Sequence, residues 1–344
     1  MTDQFTTKGF ADYFIDQRRY TNQFLDKINE LVDWESIEKV LNKKYRKTAS
    51  ADGRPAYPSL PMFKLLLLQR WYGLSDPGLE EAVNDRISFI RFSGFSISSS
   101  LPDHSTICRF RNALLELDLF EKLFQEINGQ LEKKGILVRK SNGAILDATI
   151  VESSRRPRKV IEVIPEDRKE EEHTPSLIFP PVIYSDDLDA MWLKKGKKAY
   201  YGYKAHICVD AQDGFILGGH VTPANVADVT EFRRLLGESH LVKDIPVFAD
   251  KGYSSAKNRT LLEENGYIDG IMHKAARGKP LTFVERLINR LISSVRYKIE
   301  QGIGTLKRGY HFSRMRYIGI TKGNMELTLT AMTFNLKKAV LMME

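Results

Sequence analysis

Three acidic residues stand out in the sequence: Asp147 and Asp250 lie in largely apolar segments, and Glu300 lies at the edge of an apolar helical stripe. Asp147 is the charged residue in the middle of GAILDATIV, and Asp250 ends the apolar run IPVFAD. A carboxylate in such surroundings is costly unless a cation, a hydrogen-bond donor or a metal ion compensates for its charge. Each position therefore needs either a local partner, such as a neighbouring turn beside Asp147, or a functional explanation.

Glu300 belongs to a segment, Glu285 to Lys307, that predicts one long helix. Its apolar residues recur at helical spacing and form one stripe: Ile288, Leu291, Ile292, Val295 and Ile299. Arg296, Glu300 and Lys307 follow one another at intervals of four and seven residues, which places all three on one side of the helix. A ladder of surface ion pairs would show the same spacing, so the helix alone does not establish a site.

Three carboxylates that met in one partly buried site would repel one another, and divalent cations would relieve that repulsion. Mg²⁺ suits an all-carboxylate site whose remaining positions are filled by water and substrate phosphate, and we expect Mn²⁺ to substitute for it. Two such ions about 4 Å apart activate a water or sugar hydroxyl and stabilise the leaving oxygen. The predicted chemistry is in-line attack on a phosphodiester, provided that the fold unites the three acids.

The elements after residue 140 predict how the acids meet. Patterns of β-branched and apolar residues predict strands at 143–153, 203–211, 215–224, 245–253 and 267–274, with helices between the later strands. Three antiparallel strands followed by β–α alternation predict a mixed α/β sheet with helices packed on it. This is the element order of the RNase H-like fold, in which the middle of the first strand and the end of the fourth lie side by side. Asp147 and Asp250 would then be neighbours.

The first part of the chain has a different character. Apolar stripes at helical spacing between Thr21 and Leu119, including the buried-helix pattern MFKLLLLQRWYG, predict an all-helical region. We therefore predict a helical N-terminal domain at 1–135, for DNA end binding or dimerisation, and a catalytic domain at 136–344. A charged, proline-rich insert interrupts the catalytic domain at about 155–200.

Composition narrows the class of protein. The length of 344 residues suggests two domains, or one large domain with a smaller partner, and the hydrophobic content of 42% is enough for a proper core. The net charge of +8 favours a polyanionic partner such as nucleic acid. Cys108 and Cys208 lie far apart without a Cys-x-x-Cys pair, so neither a disulfide framework nor a zinc finger is indicated. With no signal-peptide pattern and no run of about 20 apolar residues, we expect a cytoplasmic protein with no membrane partner.

Basic residues close to aromatic ones are the candidate DNA contacts. The segment KKGKKAYYGYK interleaves lysine and tyrosine, a composition suited to phosphate contact and base stacking, and it contains Lys195, Lys197 and Lys204. Arg109 and Arg111 lie on a predicted helix that follows a polar turn, as in helix-turn-helix proteins. Surface lysines beside a strand, or the solvated basic face of a helical bundle, would give the same patterns.

With these motifs in place, the sequence resembles the DDE transposases of the bacterial insertion-sequence-five family over nearly its whole length. Asp147 stands in LDATIV, and the run Asp250-Lys-Gly-Tyr is similar to the family's Asp-x-Gly-Tyr/Phe block. The block DLDAMWLKKGKKAYYGYKAH and the helical segment 58–115 are also similar to regions of these proteins.

The long helix carries a further part of the resemblance. Arg296-x3-Glu300-x6-Lys307 is similar to the family signature Tyr-x2-Arg-x3-Glu-x6-Lys. Ser293 stands where the signature has tyrosine, a residue that helps to hold DNA near the cut end in relatives. This departure concerns that single contact and leaves the predicted metal site intact.

The resemblance implies a role for each candidate residue. Asp147, Asp250 and Glu300 would be the catalytic metal ligands, and Arg296 and Lys307 would hold phosphate at the transposon end. Tyr253 would be a further DNA contact in the block of Asp250. The family cuts DNA at terminal inverted repeats, and the freed 3′-hydroxyl then attacks target DNA. Because two ends must be brought together, the resemblance also implies a homodimer, bound to DNA at the bacterial nucleoid.

Two other functions fit the same sequence. One is an RNase H-like nuclease that cuts branched nucleic acid without joining ends. The other is a DNA-binding protein, derived from a transposase, that has lost its catalytic activity. The presence of all three acids favours an enzyme over the silent protein.

Overall fold

The computed structural model describes residues 4–16, 23–45, 56–137, 143–157 and 186–343. Much of the predicted insert at about 155–200 lies outside these ranges. The helices of the described part are α1 (Phe10–Asp16), α2 (Gln23–Leu31), α3 (Trp34–Lys44), α4 (Ser59–Trp71), α5 (Asp76–Asp85), α6 (Ile87–Ser93), α7 (His104–Glu116), α8 (Phe120–Lys133), α9 (Asp228–Glu238), α10 (Ala256–Glu264), α11 (Phe283–Gly309) and α12 (Ile320–Met342). The strands are β1 (Ala144–Glu152), β2 (Met191–Lys195), β3 (Lys198–Asp210), β4 (Ile216–Pro223), β5 (Pro246–Ala249) and β6 (Ile268–Ile271).

The strands form one mixed sheet, which confirms the predicted α/β class. Along the sheet the order is β4-β3-β1-β5-β6, and β2 pairs with the beginning of β3. β3 is antiparallel to β1, β2 and β4, whereas β1, β5 and β6 are parallel. This is the order expected for an RNase H-like sheet. The described residues before β1 are helical, as predicted.

The prediction was wrong about the stretch before Tyr203. The structure has an additional strand, β2, and β3 begins at Lys198 rather than at Tyr203. These residues form a hairpin around Gly196, whose φ of +62° suits the turn. The strand pattern was hidden because most residues of the hairpin are exposed and many are lysines, so apolar and polar residues do not alternate.

The long helix α11 is also only partly buried. A capping box between Thr282 and Glu285 begins it, and Ile292 and Ile299 are buried as predicted. Ile288 and Leu291, however, are 37% and 60% exposed. The predicted apolar stripe is therefore buried only from Ile292 onward.

The backbone of Gly143, directly before the paired part of β1, lies very close to Pro246 at the start of β5. Gly143, directly before β1, has a φ of +113°, and a Cβ at this position would lie 2.3 Å from the carbonyl oxygen of Pro246. A glycine is therefore required for β1 to enter the sheet beside the start of β5. From that point Ala144 pairs with Val247 and Leu146 pairs with Ala249.

The predicted division at residue 135 does not separate two hydrophobic cores. The last helix, α12, packs against β4 and also against α2, α4 and α8. Arg70 of α4 forms a buried ion pair with Glu326 of α12 at 2.9 Å and donates to Thr330 at 2.7 Å. The indole of Trp71 donates to the carbonyl of Thr333. The helical region and the sheet are thus joined by one core, in which α12 is shared.

A second buried polar contact ties α12 and α8 to the sheet. Asn335 of α12 accepts a hydrogen bond from the backbone N–H of Ile216 and donates to its carbonyl oxygen, at 2.9 and 2.8 Å. Asn128 of α8 donates to the same carbonyl and accepts from Asn335. These bonds satisfy the backbone of Ile216, next to the irregular register between β3 and β4.

Among the residues that the structure describes, no helix combines the length and the hydrophobicity that a membrane span requires.

A buried histidine predicts how stability changes with pH. His206 of β3 stacks on His220 of β4, and burial, with a smaller effect of His220, lowers the pKa of His206 to about 3. Because the unfolded chain binds a proton near pH 6.5 and the folded chain does not, acidification favours unfolding. We expect His206 to reduce the unfolding free energy by about 2 kcal/mol between pH 7 and pH 5.

Urea denaturation of the wild type and of His206→Gln at both pH values measures this contribution. Glutamine retains a partner for the Thr222 hydroxyl, 3.0 Å from the imidazole, but it does not titrate. The variant should lose part of the acid sensitivity. Equal losses of stability in the two proteins would show that His206 does not protonate on unfolding.

Candidate active site

Asp147 and Asp250 meet because of the pairing of β1 with β5. Leu146 lies opposite Ala249 in this parallel pair, and the next residue on each strand is an aspartate. Asp147 continues β1, whereas Asp250 ends β5 and caps a short 3₁₀ turn at Lys251–Tyr253. The backbone N–H groups of Ala148 and Lys251 donate to the two carboxylates. The sheet therefore presents two adjacent carboxylates, as the strand order predicts.

Arg296 of α11 lies between the two aspartates. One guanidinium nitrogen is 3.0 Å from Oδ2 of Asp147, and the other is 3.7 Å from Oδ1 of Asp250. The side chain is buried, and its Nε has no hydrogen-bond partner among the described residues. Arg296 thus connects the long helix to Asp147 within β1 and to Asp250 after β5 through charge, and α11 also packs on both strands.

The acids at the site perturb one another. Burial raises the pKa of Asp147, and the negative charges of Asp250 and Glu300 raise it further. Arg296 and the N–H of Ala148 act in the opposite direction, but they do not cancel the effect of burial. The surroundings of Asp147 therefore disfavour its charged form and compensate for its negative charge only in part. Glu300 contributes to this field from an exposed position on α11.

The donor atoms of these acids fit a hard divalent cation. All are carboxylate oxygens, the ligands that Mg²⁺ and Mn²⁺ accept, and a cation would compensate for the charge on Asp147. In the conformation described here Arg296 already contacts both aspartates. Within the described ranges, no group of three or more histidine, cysteine, aspartate or glutamate side chains is assembled closely enough to hold a metal ion. The two aspartates are thus adjacent, and Glu300 is near but not gathered with them.

Lys307 extends the site along α11, and Lys195 of the β2–β3 hairpin lies near it. Lys307 is half-buried, and its pKa is lowered first by burial and then by the positive charge of Lys195, while Glu152 opposes the shift. Lys195 belongs to the exposed β2–β3 hairpin. The hairpin therefore comes close to α11, a proximity that the sequence did not reveal.

The other predicted DNA contacts occupy different environments. Arg109, Lys195 and Lys197 are exposed. Arg111 is buried and forms two hydrogen bonds of 2.7 Å with Asp76, so its guanidinium holds α7 to α5 rather than facing solvent. The prediction that it contacts DNA is not supported by this position.

Tyr253 and Lys204 are likewise turned into the protein. Tyr253 is 1% exposed, and its hydroxyl has no partner within the described ranges. Lys204 donates to the carbonyl of Val226 and to Asp228 at 2.7 and 2.8 Å. Neither side chain is available to DNA in this conformation. The sequence did not reveal Asp228 as the partner of Lys204, because Asp228 begins a helix, where an acidic residue is common.

The strand order and the paired aspartates at neighbouring strand positions define an RNase H-like enzyme of the kind that breaks phosphodiester bonds. Two family models match the chain: "Transposase domain (DUF772)" at residues 13–113 and "Transposase DDE domain" at residues 139–336. The chain therefore belongs to the DDE transposases of bacterial insertion sequences.

One curated relative agrees with this assignment. The chain is 40% identical over 232 residues to the transposase for insertion sequence element IS1106 of Neisseria meningitidis serogroup B, which covers 67% of this chain and 76% of that protein. Among solved structures, the cryo-EM structure of the piggyBac transposase synaptic complex with hairpin DNA matches with a TM-score of 0.42. That match has 10% identity and covers 92% of this chain and 72% of the other. This last likeness is too distant to bear on function.

Proposed function

We propose that this protein cuts DNA at the terminal inverted repeats of an insertion sequence and joins the freed 3′-hydroxyl ends to target DNA. The observation that carries the proposal is the pair Asp147 and Asp250 on adjacent parallel strands, joined by Arg296. The helix that supplies Arg296 also carries Glu300 and Lys307. The resemblance to the insertion-sequence-five group within the family supports catalytic roles for the three acids and a phosphate contact for Lys307. It also implies a phosphate contact for Arg296, whose guanidinium instead lies against both aspartates in this conformation.

We assign the three acids to a divalent-metal site that takes Mg²⁺, with Mn²⁺ as a substitute. Asp147 and Asp250 would hold the metal ions from the sheet, and Glu300 would complete the site from α11. When bound, the ions supply activation of the attacking hydroxyl and stabilisation of the leaving oxygen. Arg296 keeps α11 docked against both aspartates, and Lys307 offers a positive charge to the phosphate backbone.

The partners follow from the same assignment. DNA is the substrate, as transposon ends and as target, and synapsis of two ends calls for a homodimer in the active complex. The place of action is the bacterial cytoplasm, at the nucleoid. The net charge of +8 is consistent with a polyanionic substrate.

A plasmid that carries the protein's own terminal repeats tests the function. Purified protein, Mg²⁺ or Mn²⁺ and a second target plasmid should yield cut ends and joined products. Cleavage without joined products would instead identify a structure-selective nuclease. Binding without cleavage in either metal would identify a DNA-binding protein that has lost its activity.

Glu300 and Lys307 share α11, and we expect their replacements to have different effects. Glu300→Gln keeps shape and hydrogen bonding but removes the charge that a metal requires, so cleavage should be abolished while DNA affinity is nearly unchanged. Lys307→Ala should weaken binding to end DNA and slow joining, and excess Mn²⁺ should not restore it. End binding and strand cleavage are measured for both variants.

The matched control is Glu263→Gln, an exposed glutamate on α10. It should leave both measurements unchanged. If α11 were only a surface scaffold, Glu300→Gln and Lys307→Ala would change stability by a few tenths of a kcal/mol and leave activity intact. If both variants were fully active, the proposed roles of Glu300 and Lys307 in the active site would be wrong.

A further inference from the structure

The β2–β3 hairpin projects past the rest of the sheet. β1 pairs with β3 from Gly202 onward and β4 pairs with it from Tyr203 onward. Lys198, Ala199 and Tyr200 pair with β2 alone within the described ranges. The tip of the hairpin is therefore a two-stranded ribbon with solvent on its outer edges.

Four lysines surround the tip of this ribbon: Lys194, Lys195, Lys197 and Lys198. All four are exposed, and none forms an ion pair with a residue that the structure describes. Lys195 lies directly opposite Lys198 in the strand pairing. Like charges at directly opposed positions destabilise a hairpin, so this arrangement costs free energy in the isolated protein. A polyanion that contacts the tip would reverse that cost.

Aromatic residues stiffen the base of the ribbon. Trp192 packs against Tyr201 across the strands, with ring centroids 5.2 Å apart, and Arg156 lies over the indole at 5.1 Å. The hydroxyl of Tyr201 donates to the carbonyl of Asp187 at 2.8 Å. These contacts join the base of the ribbon to Arg156 and Asp187. The base is therefore packed against neighbouring residues, whereas the lysines at the tip are exposed.

The ribbon also adjoins the proposed active site. β1, which carries Asp147, pairs with β3 as far as Glu152, opposite Gly202 at the base of the ribbon. The positive charge of Lys195 also reaches Lys307, two turns after Glu300 on α11, and lowers the pKa of Lys307. Positive charge therefore runs from the ribbon tip to the catalytic helix. A DNA duplex that is cut beside Glu300 would therefore also lie next to the ribbon.

We propose that the β2–β3 hairpin is a DNA-docking arm whose four lysines contact the phosphates of the duplex next to the cleaved bond. This inference rests on the proposed function. A two-stranded β-ribbon fits the major groove, which is about 12 Å wide. The tip offers lysine and glycine rather than side chains that read base edges, so the arm positions the duplex and does not select its sequence.

The arm is tested by the variant Lys194→Gln, Lys195→Gln, Lys197→Gln, Lys198→Gln. Binding of wild type and variant to end DNA is measured by fluorescence anisotropy over a range of salt concentrations. Each lost phosphate contact lowers the slope of log affinity against log salt by about 0.9, so the slope should fall by about three to four units. The single variant Lys197→Gln, at the turn, should lower it by about one unit.

A control with the same change in charge uses four exposed lysines outside the hairpin: Lys133, Lys134, Lys257 and Lys337. Their replacement by glutamine should alter the slope far less. The inference is overturned if the hairpin variant and Lys197→Gln keep the wild-type slope, or if the control variant loses as much as the hairpin variant. Cleavage of end DNA by the wild type separates the two proposals, because its absence contradicts the function, whereas normal cleavage with an unchanged slope contradicts only the arm.

Discussion

Replacing Asp147 or Asp250 by asparagine should lower the rate of divalent-metal-dependent cleavage of end DNA by about 100-fold or more. Each change keeps the size of the side chain but removes one of the two adjacent negative charges on β1 and after β5. Loss of a main stabilising group at a reacting centre commonly costs two to three orders of magnitude in rate. The measurement is single-turnover cleavage of labelled end DNA in Mg²⁺ and in Mn²⁺.

Two controls accompany these variants. End-DNA affinity should survive, because the proposed phosphate contacts lie on Lys307 and the hairpin rather than on the aspartates. Asp85→Asn, an exposed aspartate at the end of α5, should cleave at the wild-type rate. Wild-type cleavage by either Asp147→Asn or Asp250→Asn would show that the paired aspartates are not the catalytic centre.

Replacing Glu326 by alanine should be among the most destabilising single changes in the protein. Glu326 is the charged partner of Arg70 at 2.9 Å, and both side chains are almost completely buried. Its removal leaves a guanidinium in the core without a counter-charge, and one guanidinium nitrogen already lacks a partner among the described residues. Breaking a buried pair in this way costs about 3–5 kcal/mol. Urea denaturation of the metal-free protein measures the loss.

An exposed ion pair supplies the comparison. Glu35 and Lys39 are 2.7 Å apart on α3, but their side chains are 76% and 72% exposed. Glu35→Ala should therefore change the unfolding free energy by less than about 1 kcal/mol. A similar small effect from Glu326→Ala would mean that Arg70 finds solvent or another partner, and that the helical region and the sheet are joined less tightly than their contacts indicate.

The meeting of Asp147 and Asp250 could be predicted because it depends on strand order rather than on local detail. Each aspartate belongs to an apolar run that is recognisable as a strand, and parallel pairing of β1 with β5 then makes them neighbours. The apolar spacing of α11 likewise predicted a long helix, although Ile288 and Leu291 of the predicted stripe are exposed. The metal-ligand roles of these residues remain predictions.

Other features depended on contacts between distant segments, which a single sequence does not show. Arg111 has the same appearance in the sequence as the exposed Arg109, yet its partner Asp76 turns it into the core. The hydroxyl of Tyr253 is buried because the turn after Asp250 folds inward. The β2–β3 hairpin was overlooked because a strand with solvent on both sides has no need of apolar alternation.

The shared core has a consequence for the order of events during protein synthesis. Helix α12 is synthesised long after α2 and α4, yet it packs against both of them. The apolar surface of α2 and α4 that α12 covers therefore stays exposed until α12 has been made, and chaperones can bind it in that interval. A nascent chain that stops before residue 320 should be degraded rather than folded, so that premature termination yields no partially active enzyme.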